Sequence, residues 1–323
     1  MTRVFVDPLL GHPEFADVVS QALARTGLVE VPFLSASWIH SYARAVDSVR
    51  NGEVLVATVA DSTGVTCLPV VKDGSSAALA PIRWSDYVDA YSTCESSRDA
   101  AVHLRAILGE VGGFRTRELH PHGLLAKLLP DLAHYVGVVN IEYSRHYVRT
   151  LTLGVDQEVG RLIGSETWKK KQRRARRMGY RCVRRSSGEI SAEHLEGFAE
   201  MHRQRWLWAG YPSIFDDEHF RRLFAEVVVN CETLVMYVLE DAEGEAHAYR
   251  VGMSTPSTYY DWLTAFDVHR RSESPGLLLL AAVMETERSH GTRVINFLRG
   301  SEKYKAELSD GSLLVPRWER TPW

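Results

Sequence analysis

Apolar positions along the chain gather in two stretches, each made of short β-branched runs followed by a helical spacing. Residues 53–60 (EVLVATVA) and 65–71 (VTCLPVV) flank Asp61-Ser62-Thr63-Gly64, which predicts two strands joined by a turn. A third extended segment is expected over 85–91 (SDYVDAY). A helix should follow over about 97–108 with Val102, Ala106 and Gly109 on one face, then short strands near 117–120 and 136–141. The second stretch is patterned more strongly. Ser191 is the expected N-cap of a helix that sets Leu195, Phe198, Ala199, His202 and Trp206 on one face and stops at Gly210. Residues 233–240, 246–254 and 258–266 read as three strands, with Glu243-Gly244 and Thr255-Pro256-Ser257 as the turns. A loop over 269–274 leads into a helix whose Leu277, Leu280, Ala281 and Met284 recur at i, i+3, i+4 and i+7, ended by Gly291. Residues 293–298 make one more strand. Both halves can be read in the order β-β-β-α-β, without a residue-level repeat between them.

The fold class expected is therefore α/β (α+β), with mixed, largely antiparallel sheets flanked by helices. A length of 323 residues suggests two domains, 1–150 and 151–323. With 45% hydrophobic and 24% charged residues the chain has globular composition, which excludes a disordered or collagen-like protein. No apolar run approaches the ~18 residues of a membrane span, and no secretory apolar region precedes Asp7 and Pro8, so a cytoplasmic location is expected. Cys67, Cys94, Cys182 and Cys231 are far apart with no CxxC, as for buried free thiols in a reducing compartment. Nothing in the sequence supports Cys231 as a nucleophile, and no His/Cys spacing suggests a metal site.

Charge adds one feature. The net charge is only −3, yet residues 168–185 hold ten Lys/Arg and no acid, leaving 28 basic against 41 acidic residues elsewhere. Ten like charges weaken a helix unless something neutralises them, so this block at the join of the two halves is a candidate contact for phosphates: a nucleic acid, a coenzyme or an anionic carrier.

Two segments carry candidate chemistry. Ser274-Pro275-Gly276 opens a helix after the third strand: Ser suits the N-cap, Pro suits the first position, and Gly lets a ligand reach the backbone. Free N–H groups and the positive dipole end make this a candidate pyrophosphate site, with His269, Arg270 and Arg271 before it and Leu277 after it. Plain capping is the other reading. The segment 297–305 (FLRGSEKYK) then offers Arg299, Glu302, Tyr304 and Lys305, which supply a carboxylate, a phenol and cations for acid–base work, or a surface Glu302–Lys305 pair. Tyr260 and Trp262 on one strand face are either an acceptor pocket or core. His202 and Trp206 are either substrate contacts or buried structure.

These segments resemble a family. Pro32-Phe33-Leu34 with Trp38, Ser85–Asp89, Lys169–Arg177, Met201–Trp206, Tyr259-Tyr260, Phe266-Asp267, Ser274-Pro275-Gly276 and above all Arg299-Gly300-x-Glu302-x-Tyr304-Lys305 are similar to the BioF2-like, or cellulose-biosynthesis-type, acetyltransferases of the GNAT superfamily. These are relatives of Fem-type aminoacyl-tRNA-dependent peptidyltransferases. The resemblance implies two tandem GNAT-like domains, with the acceptor on the first and the acyl donor on the second. It implies an amide-forming acyltransferase using acyl-CoA or an acyl carrier protein, with an amine acceptor on a small molecule or peptide. An aminoacyl-tRNA donor or a carrier protein bound through 168–185 is the alternative, and a non-catalytic binding module a third. In these terms Glu302, Tyr304 and Asp267 are the expected catalytic groups. His269, Arg270, Arg271, Ser274, Gly276, Leu277, Arg299 and Lys305 are the expected coenzyme contacts, and Tyr260, Trp262, His202, Trp206, Asp86 and Tyr87 the acceptor side. Three departures stand out: Asn296 and Ser301 replace acids common in relatives, and Ser-Pro-Gly replaces the usual GNAT pyrophosphate signature.

Overall fold

A computed structural model describes residues 3–47, 54–73, 76–80, 84–116, 118–136, 139–151, 159, 164–300 and 302–320. The chain divides into two units, Met1–Arg145 with Leu314–Trp323, and His146–Leu313.

The first unit contains β1 (Phe5–Pro8), α1 (Phe15–Thr26), α2 (Ala36–Asp47), β2 (Val54–Asp61), β3 (Gly64–Asp73), β4 (Ser76–Leu79), β5 (Tyr91–Ser92), α3 (Ser97–Val111), β6 (Gly113–Arg115) and α4 (Leu124–Val136). Strands β1 to β4 form an antiparallel meander, and β6 returns through α3 to lie parallel to β4. The turn at 61–64 sets the register, since Asp61 faces Gly64 and Val54 faces Val71. Ser96 caps α3 by accepting from the Arg98 N–H.

Three sequence expectations change here. The third strand is β4, a run of small residues that carries no β-branched signal. Within 85–91 only Val88, bridged to Leu119, and Tyr91, the first residue of β5, pair with other chain segments. Helix α3 buries Ala100, Ala101, Leu104, Ile107 and Leu108, whereas Val102 of the expected face is exposed. Leu104, Ile107 and Leu108 set the inward face because together they remove more apolar area from water than Val102, Ala106 and Gly109 would. No strand forms over 118–120. Glu53, Arg117 and residues 137–138 of the expected strands lie outside the described residues.

The second unit contains the end of β7 (Val139–Thr150), then α5 (Ser165–Arg177), β8 (Arg181–Ser186), α6 (Ala192–Trp208), α7 (Glu218–Asn230), β9 (Leu234–Glu240), β10 (Ala246–Ser254), β11 (Thr258–Phe266), α8 (Pro275–Ser289), β12 (Val294–Arg299), α9 (Lys303–Leu308) and the start of β13 (Gly311–Arg320). The sheet order is β7-β12-β11-β10-β9-β8, antiparallel except for the β11/β12 pair that α8 connects. The β-β-β-α-β order is thus present in each unit. Helix α8 packs Leu278, Leu279, Leu280, Ala281, Val283 and Met284 against Val235, Tyr237, Leu239, Tyr259, Ile295 and Phe297. Ser191 caps α6, accepting from the His194 N–H, and Gly210 follows it with φ 82°. The tail from Leu314 groups with the first unit, where Glu319 of β13 pairs with Arg115 and the Leu119 N–H donates to the Pro316 carbonyl. A domain running from 151 to 323 therefore overstates the second unit at its C-terminal end.

Candidate functional site

The second sheet opens a cleft by its own pairing. β11 and β12 share only the register Thr258↔Val294, Tyr259↔Ile295 and Tyr260↔Asn296. Beyond it, the Asn296 side chain accepts from the Leu298 N–H at 2.9 Å, and Leu298 adopts φ 56°, so β12 turns while β11 runs on to Phe266. A bulge falls in the same place: Val251 pairs with Leu263 and Gly252 with Asp261, which leaves Trp262 as the extra residue. A bulge shifts the alternation of side chains by one. Tyr259 packs beside α8 before it, and Thr264 and Phe266 line the α8 side after it.

The result is a cavity of about 460 Å³, lined by Arg205, Arg250, Thr264, Phe266, Arg271, Ser274, Pro275, Gly276, Leu277, Leu280, Lys303, Tyr304 and Glu307. The start of α8 forms one wall. Pro275 takes the first helical position as expected, but Ser274 sits at φ 59° and its side chain makes no cap hydrogen bond, which corrects its expected N-cap role. At Gly276 a Cβ would lie 3.1 Å from the Phe266 ring, a tight contact that the ring would have to yield to by a few tenths of an ångström. The opposite side is cationic. Arg250 is buried and paired with buried Asp261. Arg205 donates to the Thr264 carbonyl at 2.9 Å and lies over the Phe266 ring. Burial lowers the Arg205 pKa, and Tyr304 and Glu302 push it back up. Burial pushes the Tyr304 phenol up to about 12, with the Arg250 guanidinium opposing, so Tyr304 carries its proton at neutral pH.

Of the residues expected from sequence, the cavity gathers Arg271, Ser274, Gly276, Leu277 and Tyr304. Others have different employment. Glu302 pairs with Lys305 at 3.2 Å, and buried Lys305 donates to the Arg299 carbonyl at 2.6 Å, a knot that holds the turn into α9. Gly300 fits inside this knot at φ 142°, where a Cβ would strike Glu302 and Lys305. Asp267 accepts from the His269 N–H at 2.8 Å and lies 3.7 Å from Arg270, capping its own turn. Arg270 donates to the Tyr180 hydroxyl at 3.2 Å, and His269 is exposed. His202 is buried with both nitrogens used: Trp206 donates to Nε2 at 2.9 Å, so Nδ1–H donates to the Ser213 hydroxyl at 2.8 Å. Burial lowers the His202 pKa to about 3, which makes His202 and Trp206 structural. Trp262 packs on Phe220 and Phe224, and Tyr260 is buried; neither lines the cavity. Asp86 and Tyr87 belong to the first unit, where both are buried and Tyr87 packs against His120 and Phe33. Ser301 lies outside the described residues.

Six of the ten cations of the basic block are committed within their own unit, Lys169 pairing with Glu166 at 3.0 Å on α5. Lys171 donates to the Ser272 carbonyl at 2.7 Å, Arg174 pairs with Glu273, Arg181 and Arg185 pair with Glu240, and Arg184 donates to the Tyr237 hydroxyl. Lys170, Arg173, Arg176 and Arg177 are exposed on α5. Asp241, Glu245 and His247 bring ligand-type atoms within 4.8 Å of one another, but Asp241 accepts from the Glu243 and Glu245 N–H groups and pairs with His247 at 2.8 Å, which braces the hairpin. Among the described residues no helix is long and apolar enough to cross a membrane.

Residues 165–306 match the family described as Acetyltransferase (GNAT) domain. None of the curated proteins matches the chain in sequence. Three solved structures share its fold. A conserved protein of unknown function from Bacteroides thetaiotaomicron has TM-score 0.58 and 13% identity over 98% of this chain and 99% of that one. The C-terminal DUF2156 domain of a protein named as a lysylphosphatidylglycerol synthetase, from Agrobacterium fabrum, has TM-score 0.56 and 13% identity over 94% and 91%. FemX has TM-score 0.54 and 11% identity over 86% and 90%.

Proposed function

Residues 165–306 carry a GNAT acetyltransferase domain, and from that premise we propose that the second unit's cavity takes an acyl thioester and that the protein passes its acyl group to an amine. One observation carries this reading: where β11 and β12 part, a single cavity joins a helix start, a buried and a half-buried arginine and a protonated phenol.

The donor is a coenzyme A or carrier-protein thioester. Its phosphates meet the start of α8 at Ser274 and Gly276 and the cation of Arg271, where N–H groups and the helix dipole favour negative charge. Phe266, Leu277 and Leu280 flank the acyl-bearing arm. A β11 N–H beyond Tyr260 faces the developing oxyanion. The amine nitrogen attacks the thioester carbonyl, the C–N bond forms, and the C–S bond breaks. Tyr304 gives its proton to the departing thiolate, and Glu307, the carboxylate on the cavity wall, accepts the proton that the amine loses. Glu302 is a positioning residue acting through Lys305. Replacing Tyr304 with Phe should lower turnover at least about a hundredfold while leaving thioester binding intact; unchanged turnover would refute this assignment.

The exposed cations Lys170, Arg173, Arg176 and Arg177 favour one second reading, an aminoacyl-tRNA donor. That reading requires affinity for tRNA that falls steeply with salt, because each phosphate contact releases counterions.

A further inference from the structure

The first unit carries a constellation that the acyl-transfer chemistry does not use. Asp61 ends β2, Cys94 follows β5, and His103 stands on the buried face of α3. The fold brings the three into line: His103 Nε2 lies 3.0 Å from Asp61 Oδ2, and His103 Nδ1 lies 3.5 Å from Cys94 Sγ. The turn at Gly64 presses on this point, since a Cβ there would lie 2.8 Å from the Cys94 nitrogen.

The hydrogen bonds fix the tautomer. The Thr63 hydroxyl and backbone N–H, then His103, hold the Asp61 carboxyl at about 2, so it is ionised and only accepts. His103 Nε2 must therefore carry the hydrogen, and Nδ1 is left as a basic lone pair facing the thiol. The Thr66 hydroxyl lies 3.1 Å from Nδ1, 2.8 Å from the Ser92 hydroxyl and 3.7 Å from Cys94 Sγ, so it bridges base and thiol. Among the described residues the other three cysteines have no such base, and burial raises the thiols of Cys67 to about 11, Cys182 to about 12, and Cys231 as well. The Cys94 N–H donates to the Ser92 hydroxyl at 3.2 Å rather than into an oxyanion site, which argues against acyl chemistry at this sulfur. Cys94 is 8% exposed, so only a small reagent reaches it.

We propose that Cys94 is an activated thiol, with His103 as its base and Asp61 orienting the imidazole, and that it is a modification site for small electrophiles, hydroperoxides above all. His103 Nδ1 takes the thiol proton. The thiolate sulfur bonds to one oxygen of the peroxide, the O–O bond breaks, and the other oxygen leaves as water (or an alcohol) with the proton from His103. Sulfur loses two electrons and becomes a sulfenic acid while the peroxide is reduced.

The test uses the intact chain, first with iodoacetamide and then with hydrogen peroxide followed by a sulfenic-acid trap, each cysteine being followed by peptide mapping. Cys182 is the internal control, because it is more exposed than Cys94 but has no base. Cys94 should react at least about tenfold faster than Cys182, because the neighbouring imidazole takes its proton as sulfur attacks. His103→Gln should remove the difference, and Asp61→Asn, a change at an exposed turn, should reduce it without unfolding the protein. Cys94 reacting no faster than Cys182, or a Cys94 rate unaffected by Asp61→Asn, would overturn the proposal, whether or not His103→Gln folds.

Discussion

Arg250 of β10 and Asp261 of β11 form an ion pair that is buried on both sides, and the pair straddles the bulge. Their register partners are Thr264 and Gly252, so the contact is diagonal. Asp261 thereby holds the guanidinium that reaches the cavity and Tyr304. Removing one partner leaves a buried charge uncompensated, so Asp261→Ala should cost about 3–5 kcal/mol of stability, read from urea unfolding. Replacing both, as Arg250→Met with Asp261→Leu, should recover most of that stability and none of the activity.

Tyr304 holds its proton to about pH 12, where an ordinary tyrosine titrates near 10. Wild-type kcat should therefore show no alkaline loss near pH 10. Tyr304→Phe should lower kcat by roughly 10²- to 10⁴-fold, the usual contribution of a positioned acid, with the KM for the donor little changed. A matched fall in kcat at Glu302→Gln with Tyr304→Phe still active would reverse their roles.

Gly276 leaves only 3.1 Å between a new Cβ and the Phe266 ring. Gly276→Val should narrow the cavity mouth and weaken donor binding by at least about tenfold, or 1.4 kcal/mol, at nearly unchanged thermal stability. Titration calorimetry reads this directly.

His202 is neutral in the folded protein because burial, then Arg205 and Arg203, lower it from 6.5 to about 3. The unfolded chain takes up a proton as pH falls through 6.5 and the folded chain does not. The stabilising contribution is thus complete above pH 6.5 and is lost as pH falls toward 3, at up to about 1.4 kcal/mol per pH unit. Asp89 acts oppositely: burial raises its carboxyl to about 7, so its contribution is lost as pH rises from 3.8 toward 7. The difference in pH slope between wild type and His202→Gln, from denaturant midpoints, isolates the histidine. Equal slopes would mean that His202 takes up its proton as readily in the folded protein as in the unfolded chain.

Much of this architecture is legible in the chain because its signals are local. The Leu277, Leu280, Ala281 and Met284 spacing marks α8, and the runs at 233–240, 246–254 and 258–266 mark the meander. Ser76–Leu79 escapes notice because Ser76, Ala77 and Ala78 carry no β-branched signal, although they pair as β4. Arg205 and Arg250 escape because their partners are not sequence neighbours: Thr264 is contributed by another element, and Asp261 sits across a hairpin. One clue existed. Arg250 and Asp261 are opposite charges in otherwise apolar strands, and a turn centred on Pro256 sets them nearly opposite each other. Conversely, Glu302 and Lys305 look chemical in sequence, and the fold uses them as a knot around Gly300.

The central claim is that the second unit's cavity binds an acyl thioester, and thermal unfolding with acetyl-CoA, longer acyl-CoAs, free coenzyme A and deacylated tRNA tests it most directly. A ligand at 100 times its dissociation constant adds about 2.7 kcal/mol to the folded state. The account predicts a shift with the coenzyme A species that Gly276→Val and Arg271→Ala both diminish. A shift with tRNA alone, removed by salt and indifferent to Gly276→Val, would contradict it.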